Sequence, residues 1–374
     1  MKSYNHLWEK YLTEENARKA ITDMAKGKSK NRNVAKILED VESYIPVALA
    51  DAERYEPRKH HVKEIYDGIQ RKKRTIVIPR ANEQVVHHMI VNVLAPILRK
   101  SMYEHSYASL PGGGIHNGAR LVRKWLKHDR KNTKYFLKLD IKSYFASIDR
   151  EILYKMLKKK IHDARFLGVL RDVIMTPEGT GIPLGFYTSQ WLANFYLTGL
   201  DHYIKNTLKA RYYIRYMDDM VIFGSSKRKL WKVFDGIREY LRGLKLTLKG
   251  SYQLARFQYC RSGKTYGRFL DFLGFRFYRD HTAMRRKIML KISRKAKMVA
   301  AKERPTAYDA RQLLSLYGWL RHTDSHRFMV SRINPYISTK RLKEAITRHT
   351  KGGMCNAVAG ISQRRCQQAG CSPV

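Results

Sequence analysis

The sequence is short of acid, short of cysteine and free of any long apolar run, and each shortage removes a class of explanation. Asp and Glu number 32 against 74 Lys and Arg, a formal excess of +42 over 374 residues. Repulsion among that many like charges works against compactness, so a polyanionic partner that neutralises it is the explanation to seek. Four cysteines, Cys260, Cys355, Cys366 and Cys371, are too few and too bunched toward the C-terminus for a disulfide framework. The last three match no C-x₂-C zinc spacing, and a reducing cytoplasm fits best. No apolar stretch approaches the ~20 residues of a membrane span, and MKSYNHLWEK has no signal-peptide core, so no membrane partner is expected. There is no internal repeat.

What is present suits a folded protein of two or three subdomains: 44% of residues are apolar and 11% aromatic. The basic excess is spread along the chain, at Lys26–Arg32, Arg71–Arg74, Lys158–Lys160 and Arg285–Lys297. A short basic tail would mean anchoring; this spread points to a long groove that follows a duplex.

Hydrophobic periodicity gives the elements. Leu7, Tyr11 and Leu12 share a helix face, and Val34, Ile37, Leu38 and Val41 repeat at helical spacing. The stretch 74–79 reads as a short strand ended by Pro79, and 83–98 as a helix. Another helix is expected at 119–127 and a strand at 135–140 that ends on Asp140. Asp149 is placed to cap a helix starting at Arg150, and Thr188 or Ser189 to cap the one after the glycine-bearing loop 179–185. The run RYYIRYMDDMVIFGSS has strand residues on both sides of two acids, which predicts a tight hairpin with Asp218 and Asp219 at its tip. A helix over 228–243, strands near Leu246 and over 269–278, and a basic helical stretch over 284–345 complete the chain.

The acids carry the chemistry. A lone Asp after a strand is usually a cap, and Asp-Asp in a turn is common. Two like charges at a hairpin tip without a basic neighbour in the turn are better explained by a bound cation. Mg²⁺ takes few protein oxygens and leaves room for water and phosphate, so two or three carboxylates on rigid elements meet the need of nucleotidyl transfer.

These segments resemble the reverse transcriptases. LKLDIKSYFASID looks like the first palm motif, GIPLGFYTSQ the second, YMDD the third and FLGFRF the primer grip. RTIVIPRANEQVVHHMIVNVLAPIL with HSYASLPGGGIHNGA resembles the fingers of the bacterial enzymes, although Asn82-Glu83-Gln84 departs from the common pattern there. The resemblance spans roughly residues 55–335. It implies an α+β right-hand polymerase: an N-terminal helical extension (1–60), fingers (61–134), a palm with an antiparallel sheet (135–282, with a fingers insertion near 155–180), a basic helical thumb (283–345) and a flexible tail (346–374). It implies Asp140 and Asp218 as ligands of two Mg²⁺ ions, for which Mn²⁺ can substitute, with Asp219 assisting and the Ile141 carbonyl joining them. Arg74 and Arg80 would clamp the triphosphate. Phe145 would lie under the sugar and exclude a 2′-hydroxyl. Leu184, Gly185 and Gln190 would border the nascent pair, with Lys249, or Lys245 in its stead, as proton donor to pyrophosphate. Phe272, Leu273 and Gly274 would form the primer grip. The implied partners are template RNA, a primer or cDNA strand and dNTPs.

Within that family the second motif narrows the resemblance. Leu184-Gly185 followed by Ser189-Gln190 replaces the more usual Gln-Gly and Ser-Pro, as in the enzymes of diversity-generating retroelements. These copy a template RNA into cDNA with errors opposite adenine, and a small basic accessory protein would be a further partner. Leu184 offers no hydrogen bond at the nascent pair, which predicts low fidelity. Defence-associated bacterial reverse transcriptases and an inactive RNA-binding scaffold remain as alternatives. A retron enzyme is expected to carry a Val-Thr-Gly thumb motif, which the sequence lacks.

Overall fold

The computed structural model describes residues 3–56, 60–67, 72–175 and 179–349. The glycine- and cysteine-bearing stretch from 350 onward, expected as a flexible tail, lies outside the described residues. The chain divides between Arg268 and Phe269 into two compact units.

The first unit opens with helices whose caps are written in the sequence. Thr13 accepts from the Asn16 N–H ahead of Glu14–Ala25, Asn31 caps Arg32–Glu39, and Asp40 caps Val41–Glu53. The apolar faces of these helices, Ala17, Ala20, Ile21 and Met24 among them, are buried with Val85, Val86, Met89 and Ile90 of the Ala81–Arg99 helix in one core. Asn16 locks that contact by donating from its side chain to the carbonyls of Tyr11 and Met89, at 2.8 and 3.1 Å.

Strands β1 (His61–Asp67) and β2 (Lys72–Ile78) pair antiparallel. The main sheet follows: β3 (Tyr135–Asp140), β4 (Tyr212–Tyr216), β5 (Asp219–Gly224) and β6 (Gln253–Arg256), ordered β4-β5-β3-β6 and antiparallel throughout. Helix Lys227–Gly243 turns Leu230, Val233, Phe234, Ile237 and Leu241 inward, an i, i+3, i+4, i+7, i+11 stripe, and packs on β3, β5 and β6. The outer edge of β4 is covered by residues 105–107, through the Arg215 N–H to His105 and the Tyr107 N–H to Arg215. A covered edge cannot pair with another chain. Strands β7 (Tyr259–Arg261) and β8 (Lys264–Tyr266) then form a small hairpin.

The second unit holds β9 (Leu270–Phe272), β10 (Phe275–Phe277) and β11 (Thr282–Met284), followed by helices Arg286–Ala300, Ala307–Leu320 and His326–Arg332. Leu273 and Gly274, at φ +55° and +85°, make the two-residue turn between β9 and β10. A Cβ on Gly274 would meet the Trp319 ring at 2.8 Å.

Two local expectations change, and one strand is added. No strand forms at Leu246: Lys245 takes φ +55° after the preceding helix, Leu248 makes a single bridge to Ile141, and the strand begins at Gln253. The helix expected to be capped by Thr188 or Ser189 starts at Tyr187, and both side chains are buried, with Thr188 Oγ1 3.0 Å from His87 Nδ1. Strand β1, too polar to read as one, forms because β2 pairs with it along its whole length.

Gly185 ties the β1–β2 hairpin to the rest of its unit. It sits at φ +122°, and a Cβ there would lie 2.0 Å from the Val77 carbonyl oxygen. The Val77 N–H donates to the Leu184 carbonyl at 2.7 Å. Gly185→Ala is therefore expected to cost about 2–4 kcal/mol in urea unfolding, combining strain with a backbone clash. Gly179→Ala, at φ +84° with open space around it, is expected to cost about 1 kcal/mol. Equal costs would show that the close approach to Val77 is unimportant.

Candidate active site

The acids come together because of strand register. Asp140, the last residue of β3, is the cross-strand partner of Asp219, the first residue of β5. Tyr216 pairs with Asp219 across the β4–β5 hairpin, which leaves Met217 and Asp218 as its two-residue turn. Met217 holds φ +56°, a left-handed value that a non-glycine residue adopts at a cost.

A buried network beneath the turn offsets that cost. The Arg215 and Asp201 side chains are fully buried, and all five guanidinium N–H groups are engaged. Nε and Nη2 donate to the two Asp201 oxygens at 2.8 and 2.6 Å. Nη1 donates to Asn194 Oδ1 at 3.2 Å and to the Met217 carbonyl at 3.1 Å, and Nη2 to the Asn194 carbonyl at 3.3 Å. Tyr213 Oη adds a 2.6 Å bond to Asp201. Burial alone would lower the arginine pKa, but the Asp201 charge raises it further still, so the cation is permanent. One fixed charge thus grips the peptide immediately before Asp218. Arg215, Asp201 and Asn194 lie outside the residues that the sequence motifs point to. The signal was present: Tyr213 and Arg215 alternate on one face of an otherwise apolar strand, and a cation there needs a buried partner.

Asp218 and Asp140 interact directly. Burial first, and the Asp140 charge second, push the Asp218 pKa up to about 6. Asp140 Oδ2 accepts from Lys249 Nζ at 2.6 Å, whereas its buried Oδ1 has no hydrogen-bond partner. Asp219 shares their sheet face, but its carboxylate lies 3.6 Å from Lys138 Nζ. Among the described residues no three His, Cys, Asp or Glu side chains converge as a ready-made metal cage. Two carboxylates meet, and the third stands beside them. The Asp140 carbonyl accepts from Lys249 N and the Lys142 N–H donates to Thr247, so strand alternation turns the Ile141 carbonyl toward the β5 side. The two carboxylates and that carbonyl are oxygen donors of the kind Mg²⁺ accepts, and the Asp140 oxygen without a hydrogen-bond partner suits a cation.

The other residues gather in part. Phe145 is half-buried on the helical turn after β3, and its carbonyl accepts from Ile182 N at 2.9 Å. Gly181, at φ +69°, fits against that carbonyl where a Cβ would come within 2.1 Å. Leu184 and Gln190 are half-buried, and Arg74 on β2 and Arg80 at the start of the Ala81–Arg99 helix are exposed. Lys249 is beside Asp140, while Lys245 pairs with Asp149, which caps the following helix as expected. Phe272, Leu273 and Gly274 belong to the second unit, with Phe272 and Leu273 buried in it.

Comparison with known proteins gives the family. The family model described as reverse transcriptase (RNA-dependent DNA polymerase) matches residues 58–251, more than half of the chain. The chain belongs to the reverse transcriptases, enzymes that polymerise DNA on RNA, and its antiparallel sheet with flanking helices is of the right-hand polymerase class. It is 24% identical to the Retron Ec73 reverse transcriptase of Escherichia coli over 271 residues, 68% of this chain and 80% of that protein. It is 25% identical to Protein YkfC of Escherichia coli (strain K12) over 143 residues, 36% of this chain and 38% of that one. Among solved structures, apo telomerase from Candida tropicalis aligns with a TM-score of 0.46 at 13% identity, over 82% of this chain and 59% of that one. Among the described residues no helix is long and apolar enough to cross a membrane.

The raised Asp218 pKa has a consequence for stability. The folded chain keeps a proton at Asp218 that the unfolded chain has already lost, so this group's contribution is full below the ordinary value of 3.8 and is lost as pH rises through about 6. Asp218→Asn carries no charge at any pH. In EDTA it is expected to melt above wild type at about pH 8, with the gap closing toward about pH 4. Added Mn²⁺ is expected to raise the melting temperature of wild type and not of the variant. A variant that melts below wild type at the higher pH would contradict the assignment.

Proposed function

We propose that the chain copies an RNA template into DNA from a primer 3′-hydroxyl, with Asp140 and Asp218 holding the divalent cations and Asp219 in support. The observation that carries this reading is the meeting of two carboxylates, one at the end of β3 and one in the β4–β5 turn, the first with a buried oxygen that has no hydrogen-bond partner. Mg²⁺ bound there, or Mn²⁺ in its place, would activate the hydroxyl and neutralise charge on the α-phosphate and the leaving pyrophosphate. The Ile141 carbonyl would complete the donor set. Phe145, half-buried on the turn after β3, would lie under the sugar and exclude a 2′-hydroxyl. Arg74 and Arg80 are exposed three residues either side of Val77, whose N–H donates to the Leu184 carbonyl, and are suited to bidentate phosphate contact. Lys249 is the better candidate for protonating pyrophosphate, because the acid it pairs with is Asp140, whereas Lys245 pairs with the helix-capping Asp149. Phe272, Leu273 and Gly274 would grip the primer. Residues 61–134 act as fingers, 135–282 as palm and 283–345 as thumb.

At a finer level, the Leu184-Gly185 and Ser189-Gln190 pattern supports a diversity-generating retroelement enzyme, which copies its template with errors opposite adenine and works with a small basic accessory protein. Leu184 presents only shape to the nascent pair. A second reading, a retron-like enzyme devoted to one structured RNA and with a role in defence, is favoured by the 271-residue match to the Retron Ec73 enzyme.

Primer extension on a heteropolymer RNA with Mg²⁺ or Mn²⁺ tests the activity. Wild type is expected to extend, and Asp140→Asn and Asp218→Asn to fall by about 10³-fold or more. Full activity in either variant would refute the metal role, and an inert wild type would favour the scaffold alternative. Sequencing the products separates the finer readings: wild type is expected to err mainly opposite template adenine, and Leu184→Gln to err less. Identical error spectra would remove Leu184 from the account, and an unbiased wild-type spectrum would favour the retron-like reading.

A further inference from the structure

The β7–β8 hairpin presents a chemical face that the polymerase reaction does not use. Its register pairs Tyr259 with Tyr266, Cys260 with Thr265 and Arg261 with Lys264. Ser262 and Gly263, at φ +48° and +73°, supply the left-handed pair that a tight two-residue hairpin turn requires. Strand side chains alternate, so Tyr259, Tyr266, Arg261 and Lys264 share one face, and Cys260 and Thr265 occupy the other, 3.6 Å apart through Sγ and Oγ1. On the first face the tyrosine rings stack at 5.6 Å and 27°, and the Arg256 guanidinium lies 3.7 Å from the centre of the Tyr259 ring. Tyr266 is 45% exposed, and Arg261 and Lys264 are exposed as well.

The hairpin is held in place at its base. Phe257 is buried against the rings of Phe136 and Phe223, and Gln258 N donates to the Arg268 carbonyl at 3.0 Å. No Asp or Glu occurs between Glu239 and Asp271 to neutralise these cations locally. At this end of the sheet Asp129 is engaged by Asn132, Tyr212 and Arg211. Arg256 pairs with Tyr135, the first residue of β3, whereas Asp140 is the last. At about 3.3 Å per residue, the five steps from Asp140 back to Tyr135 put Arg256, at the foot of the hairpin, about 17 Å from the catalytic acids, beyond reach of a reacting nucleotide.

We infer that the Tyr259, Arg261, Lys264 and Tyr266 face of this hairpin is a binding surface for single-stranded RNA, separate from the catalytic acids. Cations beside an open aromatic face match the two things a single strand offers together, phosphates and unpaired base faces. A duplex keeps its bases stacked on each other and would engage the cations alone. That the strand is RNA rests on the template proposed above.

The test compares wild type, Arg261→Ser/Lys264→Ser/Tyr266→Ser, and the opposite-face control Cys260→Ser/Thr265→Val. Each is titrated against a labelled unstructured 20-nucleotide RNA and a blunt RNA–DNA hybrid of the same length, and each is assayed for extension of a short pre-annealed hybrid. The triple variant is expected to bind the single strand about tenfold more weakly or worse, as loss of stacking and two cations implies. Its log–log salt slope should be shallower by about 1.4. Hybrid binding by the triple variant should weaken several-fold less than its single-strand binding, since the hybrid loses only the cations, while hybrid binding by the control and extension by both variants should stay within about twofold of wild type. Unchanged single-strand affinity in the triple variant, an equal loss on the hybrid, or an equal loss in the opposite-face control would each overturn the inference. Because wild-type extension is read in the same assay, failure of the surface and failure of the polymerase assignment give different results.

Discussion

The arrangement depends on one buried ion pair. Burying Arg215 and Asp201 without partners would cost several kcal/mol each, and the structure avoids that only by matching every guanidinium N–H. One of those bonds goes to the Met217 carbonyl, so the pair's geometry passes directly into the turn that presents Asp218. Asn194 links the pair to the segment covering β4, since its side chain also donates to the Ala108 carbonyl. The strand edge, the turn and the acid are thereby set by one cation.

The surrounding charge explains why so basic a chain can assemble acids here. Lys249 meets Asp140 and Lys138 stands near Asp219, which leaves the Asp218–Asp140 repulsion as the unresolved term. A site built this way is less stable without cations than with them. That is the usual relation between a preorganised site and the stability of the fold that carries it.

Much of this was legible in the residues. Strand β3, the YMDD hairpin, the Asp149 cap and the stripe on Lys227–Gly243 follow from period and composition, because each is decided by neighbours a few positions away. The meeting of Asp140 with Asp218 needed the pairing of β3 with β5, a contact between residues far apart in sequence. The start of the helix at Tyr187 was misjudged because Thr188 has a buried histidine partner across the core, which local capping rules do not see. Strand β1 and the β7–β8 hairpin were missed for a related reason: both are polar, and pairing rather than burial makes them strands. Arg215 was visible as a cation in an apolar run, but its partner lies in another element.

The most direct test is the single-turnover extension rate of the double variant Arg215→Met/Asp201→Leu, measured beside its urea stability and its affinity for primer–template. Replacing both charges with apolar groups is expected to leave stability within about 2 kcal/mol of wild type. The rate is expected to fall about 10²-fold as Asp218 loses its fixed position, with primer–template affinity unchanged. A stable double variant that extends primers at the wild-type rate would contradict the account.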